Sequence, residues 1–269
     1  MARTSRRAKQ RERRDTLVGL LAALVALAIV GGAAWFWHAA KGTSLEAGSM
    51  CPLAGPKGHY VLLVDKTDPL TFTQNQAFEG LLRDLVARRT PPGYLLSVFV
   101  LGDDFKANAK PLIELCNPGT GAEASELTAN PKQLRREYEE RFIAPLMKES
   151  AALVSTTPAK NSPIFEMLQL VGINAFRARD VKGERRLIVM SDMLHNTPQF
   201  TMYRGAVAWA DFERTDYARR AQAELPGVDV ELHVLMNTPQ LQTQRQMKFW
   251  EDWFDKAGAH IVAVQPMEG

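Results

Sequence analysis

The sequence predicts an α/β fold, a three-layer α/β/α sandwich with a mainly parallel sheet, preceded by one transmembrane helix. The chain has 269 residues, of which 46% are apolar and 23% charged, enough for one domain of about 200 residues and an appendage. Short apolar runs alternate with longer amphipathic segments, which is the pattern of strands joined by helical crossovers. One long uncharged run near the N-terminus has the length of a membrane span.

The uncharged run covers residues 16–37. A helix of that length spans about 33 Å, against a hydrocarbon core of about 30 Å. Residues 1–15 hold seven Lys and Arg against two acids, and basic flanks stay in the cytoplasm. We therefore predict a cytoplasmic tail over 1–15, a transmembrane helix over 16–39 in a bacterial inner membrane, and a periplasmic domain beyond it. A cleaved signal peptide, with small residues at 39–40, is the alternative.

The basic charge of the chain is confined to the tail. The net charge is +3, from 33 Lys and Arg and 30 Asp and Glu. Residues 1–15 carry a net +5 and the remainder a net −2, so the body of the protein lacks the basic surface of a nucleic-acid binder. The loop after the first strand contains no glycine, which argues against nucleotide binding.

The elements follow in order after a linker over 40–57 that is rich in Gly, Pro and Ser. The first strand is an uninterrupted apolar run, typical of a strand buried on both faces. The last helix carries Trp250, Trp253 and Phe254 at helical spacing, which predicts core packing. Strands are predicted over 60–65, 94–101, 111–116, 186–191, 228–236 and 260–264. Helices are predicted over 73–89, 131–154, 162–176, 213–225 and 243–257, with an irregular insertion over 194–212. Together they form one domain over 58–269.

Polar residues follow the predicted strands, where ligands bind in such sheets. Asp65 and Thr67 come after the first strand, and Asp192 closes a later one. Ser162 stands at the start of a helix, where it is expected to cap the first turn ahead of Pro163. Carboxylates and hydroxyls are hard oxygen donors that suit Mg²⁺ or Mn²⁺.

This order of residues resembles the von Willebrand factor A (vWA) family and its metal-ion-dependent adhesion site. That family has Asp-x-Ser-x-Ser after strand 1, a Thr in a later loop and an Asp after strand 4. Asp65 and Thr67 match the first two positions, Ser162 the Thr and Asp192 the last Asp, while Pro69 replaces the second Ser. The resemblance implies protein recognition through a divalent ion. The hydroxyl missing at position 69 leaves two interpretations open, a functional ion site or a metal-free interaction domain.

Two further sets of residues are candidates. Residues near the predicted site are expected to contact a partner: Thr71, His195, Phe200, Tyr203 and Trp209, of which the aromatic ones could instead pack on the domain's own core.

Cys51 and Cys116 are the two cysteines of the chain. They could form a disulfide in an oxidising compartment, or be two unrelated buried thiols.

No complete catalytic set is found, and we expect no enzyme. The predicted function is a membrane-anchored protein-interaction module, a component of an envelope-associated assembly that binds a protein partner through its ion site. The alternative is a divalent-metal-dependent extracytoplasmic hydrolase, which would need a general base near the ion. A purely structural domain that stabilises a neighbouring membrane protein is a third interpretation.

Overall fold

The computed structural model describes residues 16–35, 45–121, 130–154, 159–205 and 207–268. It divides the chain into two compact units. In the first, helix α1 (Thr16–Trp35) has a mean hydropathy of 2.5 and is long and apolar enough to cross a membrane. The predicted tail over 1–15 and the end of the span over 36–39 lie outside the described residues.

The second unit contains a six-stranded sheet in the order β3-β2-β1-β4-β5-β6. Its strands are β1 (His59–Asp65), β2 (Leu95–Leu101), β3 (Ile113–Cys116), β4 (Arg185–Ser191), β5 (Asp229–Leu235) and β6 (His260–Met267). All neighbours pair in parallel except β2 and β3, which are antiparallel. The segment between these two strands is too short for the crossover helix that a parallel pair needs. The prediction of a mainly parallel sheet is confirmed.

The helices of this unit are α2 (Phe72–Asp84), α3 (Pro131–Tyr138), α4 (Ala144–Val154), α5 (Ile164–Val171), α6 (Trp209–Phe212), α7 (Asp216–Arg220) and α8 (Gln244–Ala257). A π turn over Glu139–Ile143 separates α3 from α4, so the helix predicted over 131–154 has a wide turn just before Pro145. The helix predicted over 213–225 is wrong in length, because only the five residues of α7 are helical there.

Two apolar clusters cover the two faces of the sheet. Side chains of a strand alternate between faces, and in β1 Val61 and Leu63 enter one cluster while Leu62 and Val64 enter the other. Helices α5 and α8 cover the first face, and α2 and α4 the second. Trp250, Trp253 and Phe254 are buried as predicted (all at most 3% exposed). The three-layer α/β/α architecture is therefore present.

A disulfide joins Cys51 to Cys116 at the end of edge strand β3. The backbone N–H of Cys116 also donates to the carbonyl of Ser49 at 2.8 Å, and the neighbouring Met50 is 2% exposed, within the core cluster under α2. Residues 46–51, assigned by sequence to the linker over 40–57, are thus part of the folded unit.

Candidate functional site

The candidate site lies where β1 and β4 end side by side. These strands are parallel neighbours in the sheet. After β1 the chain adds β2 and β3 on one side, and after β4 it adds β5 and β6 on the other. Such a switch point leaves a crevice at the carboxyl ends of the strands, where α/β proteins bind ligands. Asp65 is the last residue of β1, and Asp192 follows directly after the last residue of β4.

Asp65 is held by three hydrogen bonds. Its Oδ1 accepts from the backbone N–H of Thr67 at 2.9 Å and from the Thr67 hydroxyl at 2.6 Å. Its Oδ2 accepts from the hydroxyl of Ser191 at 2.6 Å, across the β1–β4 pair. Asp65 is only 3% exposed. The structure therefore brings together Asp65 and Thr67, and adds Ser191 as the residue that joins the two strands.

Asp192 is held less tightly. Its Oδ1 accepts from the backbone N–H of Leu194 at 2.8 Å, and its Oδ2 from the phenol hydroxyl of Tyr203 at 3.2 Å. Like Asp65 it is 3% exposed. Tyr203 keeps 43% of its surface exposed, so its hydroxyl points to the buried carboxylate while part of the residue stays in solvent.

The two buried carboxyl groups share an unfavourable electrostatic environment. Burial raises the pKa of Asp65. Burial first, and then the charge of Asp65, raises the pKa of Asp192 to about 8. Burial also raises the pKa of the nearby Asp68. Within the described ranges, no Lys, Arg or His forms an ion pair with any of the three. Protonation or a bound cation would offset the charge of such buried carboxylates.

Ser162 does not cap a helix, contrary to the sequence prediction. Helix α5 begins at Ile164 with Pro163 as its N-cap residue. The hydroxyl of Ser162, a residue 6% exposed, has no hydrogen-bond partner among the residues that the structure describes. The backbone of Ser162 pairs with Asn196, with N–H···O bonds of 2.7 and 2.9 Å in the two directions. Just before it, the N–H of Ala159 donates to the Thr67 carbonyl at 3.0 Å. Ser162 thus belongs to a segment held between the loops that follow β1 and β4.

Helix α8 fixes the loop that carries Asp192. Met193 adopts a left-handed backbone conformation with φ 57°, which is uncommon for a residue other than glycine and costs energy. Its carbonyl accepts from Trp250 Nε1 at 2.8 Å and from Gln246 Nε2 at 2.6 Å. The sequence predicted Trp250 as a core residue only. Its indole N–H therefore has a second role, which no spacing in the sequence reveals.

The predicted partner contact at His195 is wrong. His195 is 0% exposed, and burial lowers its pKa to about 3, so the ring is neutral. Its Nε2 lies 2.9 Å from the Tyr217 hydroxyl and 3.3 Å from that of Thr197. Tyr217 in turn donates to Glu166 Oε1 at 2.7 Å. These contacts place His195 in an internal hydrogen-bond network beneath the surface.

The other predicted partner contacts divide into two groups. Phe200 and Trp209 are partly buried and pack on the core, with their ring centroids 4.8 and 5.7 Å from that of Phe212. Thr71 is exposed and caps α2 by accepting from the N–H of Gln74. Tyr203 is exposed at the site itself. Three aromatic residues of the insertion were predicted to contact a partner, namely Phe200, Tyr203 and Trp209. Tyr203 is the one of these three that keeps a large exposed surface.

The donor set suits a hard divalent cation. The carboxylates of Asp65 and Asp192 and the hydroxyls of Thr67 and Ser162 are oxygen donors of the kind that Mg²⁺ and Mn²⁺ prefer. Within the described residues, neither carboxylate has an ion pair and the Ser162 hydroxyl has no partner. Across the described part of the chain no three His, Cys, Asp or Glu side chains converge on a common metal position. An ion at this site therefore needs the hydroxyls as well as Asp65 and Asp192.

No protein-family model and no curated protein matches the chain. Among solved structures, it is similar to the SpRpn10 VWA domain, with 9% identity, a TM-score of 0.39 and coverage of 79% of this chain and 89% of the other. An aerotolerance-related membrane protein from Bacteroides fragilis matches at 12% identity and TM-score 0.32, covering 77% and 90%. The manganese-loaded TRAP protein of Plasmodium vivax matches at 16% and 0.32, covering 65% and 57%.

These identities and TM-scores describe a distant likeness and carry no information about ligands or partners. The fold is an α/β/α sandwich around a mainly parallel six-stranded sheet, as the resemblance to the vWA family implies. The resemblance also implies the meeting of two aspartates, which here are Asp65 at the end of β1 and Asp192 directly after β4.

Proposed function

We propose that this protein is a membrane-anchored protein-interaction module whose site at the ends of β1 and β4 binds a partner through a divalent ion. The observation that supports this most directly is the pair of buried carboxylates, Asp65 and Asp192, which no described cation neutralises. Leaving such charges uncompensated costs several kcal/mol per ion. Protonation, which the raised pKa of Asp192 favours, removes that cost in one way, and a bound cation removes it while both groups stay ionised.

The ion would be held by Asp65, Thr67, Ser162 and Asp192, and it would be Mg²⁺ or Mn²⁺. When bound, it supplies a Lewis-acidic position at which an acidic side chain of the partner completes the coordination. The chain's own residues do the positioning. Ser191 fixes one oxygen of Asp65, and Thr67 fixes the other. Helix α8 fixes the backbone next to Asp192.

The location we propose is the plasma membrane of a bacterial-type cell, with α1 as an uncleaved anchor and the α/β unit outside the cytoplasm, in an envelope-associated assembly. The apolar length of α1, the basic residues before it and the disulfide all support this placement. Protease added to spheroplasts should digest the α/β unit. Digestion only after lysis would contradict the orientation.

Ion binding is tested by thermal unfolding of the full chain in detergent, in EDTA and then in Mn²⁺ or Mg²⁺. An ion at 100 times its Kd stabilises by about 2.7 kcal/mol, about 5–10 °C for a domain of this size. The rise should disappear in Asp65→Asn and persist in the control Asp211→Asn, an exposed residue on α6. An unchanged wild-type melting temperature at millimolar ion would contradict the ion-dependent mechanism.

Partner binding is tested by photo-cross-linking in intact membranes. A photoreactive residue at the exposed position 71, beside the site, should yield a discrete adduct that disappears in EDTA and in Asp65→Asn. The control position is the exposed Lys182, just before β4 and therefore at the opposite edge of the sheet. Adducts at position 71 that persist both in EDTA and in the Asp65→Asn variant would show that the site is not the binding surface.

A further inference from the structure

The four carboxylate oxygens of the candidate site are not equally held. Asp65 Oδ1 and Oδ2 accept hydroxyl hydrogen bonds of 2.6 Å each, from Thr67 and from the fully buried Ser191. Asp192 Oδ1 accepts a backbone N–H at 2.8 Å. Among the described residues, Asp192 Oδ2 accepts a hydrogen bond from the Tyr203 hydroxyl alone, at 3.2 Å. A hydroxyl bound to a carboxylate normally lies at about 2.5–2.7 Å, so this is the weakest of the contacts.

Tyr203 is also the donor that can leave most easily. It is 43% exposed, whereas the other donors to these oxygens are on buried residues. Its backbone is anchored independently of the ring, because the preceding Met202 is 5% exposed and donates its N–H to the His195 carbonyl at 2.9 Å. Rotation of the Tyr203 side chain alone therefore frees Asp192 Oδ2, and exposed side chains change rotamer rapidly.

The Tyr203 phenol also occupies space beside Asp192 Oδ2, because its hydroxyl lies 3.2 Å from that oxygen. Asp192 is 3% exposed although it lies directly after the carboxyl end of β4. Tyr203 contacts Oδ2, the carboxylate oxygen that no backbone group among the described residues holds. A divalent ion keeps several water ligands when it binds through few carboxylates. Such a hydrated ion needs both the lone pair of Oδ2 and the space beside it.

We propose that Tyr203 is a latch on this site: its side chain occupies Asp192 Oδ2, and a divalent ion gains that oxygen only when Tyr203 turns away. The inference rests on the ion site of the proposed function. It adds that the Tyr203 side chain and the ion compete for the site, and that Asp192 Oδ2 is the oxygen offered to the ion. It also adds that the insertion after β4 sets the affinity. Release of an exposed tyrosine by the ion gives a partner a newly placed aromatic side chain next to the site.

The test is Mn²⁺ binding, followed by the loss of the electron paramagnetic resonance signal of free Mn²⁺. The full chain is titrated in detergent as wild type, Tyr203→Phe and Tyr203→Ala. Removing a competing hydrogen bond to a carboxylate should tighten Mn²⁺ binding about 5- to 10-fold in Tyr203→Phe, and at least as much in Tyr203→Ala. The matched control is Tyr138→Phe, which loses a 3.4 Å bond to the Ala87 carbonyl on the other face of the sheet and should bind as wild type does.

Each outcome decides between the proposals. Equal or weaker Mn²⁺ binding by Tyr203→Phe and Tyr203→Ala, beside a wild type that binds, overturns the latch and leaves the ion site standing. Binding by the variants alone, with no detectable binding by wild type, supports the latch and contradicts ion-dependent partner binding by the wild-type chain. No binding by any of the proteins overturns the ion site, and the latch with it. Melting temperatures in EDTA show whether each variant is folded.

Discussion

The hydroxyl of Ser191 connects the two strands on which the candidate site is built. It donates to Asp65 Oδ2 and accepts from the N–H of Met193 at 2.9 Å. We predict that Ser191→Ala lowers the free energy of unfolding by about 1–3 kcal/mol, since it leaves a buried carboxylate oxygen and a buried N–H unpaired. Urea denaturation measures this loss. Because Asp65 is no longer fixed, Ser191→Ala should also weaken the ion-induced rise in melting temperature.

The matched control is Ser97→Ala. Ser97 is also 0% exposed, and its hydroxyl bonds His59 and Glu114 on β1 and β3, away from the site. The Ser97→Ala substitution should lower the free energy of unfolding by a similar amount without changing the ion-induced rise in melting temperature. A Ser191→Ala protein as stable as wild type, or a loss of the ion response in both variants, would contradict this role for Ser191.

His59 makes stability depend on pH. It is 0% exposed, and burial, followed by the charge of Arg179, lowers its pKa to about 3. Because the unfolded chain titrates near 6.5, His59 destabilises the fold as the pH falls below 6.5. At pH 5 the loss is about 2 kcal/mol. His59→Gln should therefore lose less stability than wild type between pH 7 and pH 5, as measured by urea denaturation at both pH values. Parallel losses in the two proteins would contradict the prediction.

At the scale of elements, α8 acts on the site through one indole. Trp250→Phe keeps an aromatic ring in the core but removes the 2.8 Å bond to the Met193 carbonyl. We expect a loss of about 1–3 kcal/mol and a smaller ion-induced shift, because the strained backbone next to Asp192 loses a support. Trp253→Phe, three residues along the same helix and 3% exposed, should lose stability while its ion-induced shift stays as in wild type. Equal ion responses in the two variants would contradict the role of Trp250.

The disulfide ties the segment before β1 to edge strand β3. It closes a loop with a sequence separation of 65, for which the chain-entropy model gives about 4 kcal/mol of stabilisation. The double variant Cys51→Ser, Cys116→Ser should unfold at a correspondingly lower urea concentration, and a reducing agent should have the same effect on wild type. A reducing agent that destabilises the double variant equally would show that the effect is not due to this bond.

The elements could largely be predicted because their signals are local. Strands buried on both faces appear as uninterrupted apolar runs, and five of the six are placed within two residues of the observed bounds. The predictions that failed concern features that depend on tertiary contacts. Ser162 has the chemistry of a helix cap, but Pro163 takes that position. The segment over 213–225 has helical composition, yet only Asp216–Arg220 is helical.

At the scale of the whole molecule, the four predicted ion ligands come from three segments far apart in the chain. That Asp65, Thr67 and Asp192 lie together could be predicted, because Asp65 ends a predicted strand, Thr67 and Asp192 follow strands, and parallel strands end at one edge. The bond from Tyr203 to Asp192 and the bond from Trp250 to Met193 could not be found, because they join loops to elements packed around them. His195 was misplaced for the same reason, since a polar residue in a loop gives no sign that an aromatic cluster will enclose it.

The anchor is tested on the intact protein in its membrane. If α1 spans the bilayer and is retained, alkaline carbonate washing should leave the protein in the membrane pellet. N-terminal sequencing should then begin in the basic segment before residue 16. A released protein whose sequence starts near residue 40 would identify the apolar segment as a cleaved signal peptide.

The disulfide also determines how the α/β unit responds to mechanical load. Tension from the N-terminal side enters this unit near Cys51 and passes through the sulfur bridge into β3. β1, α2 and β2 lie inside the closed loop. If the unit were pulled apart between its ends, these elements could lose their structure without lengthening the chain. The contour length gained would be shorter by about 220 Å, at about 3.4 Å for each residue in the loop. A unit pulled between its ends would thus lengthen through the residues after Cys116, while the loop closed by the bridge adds nothing to the extension.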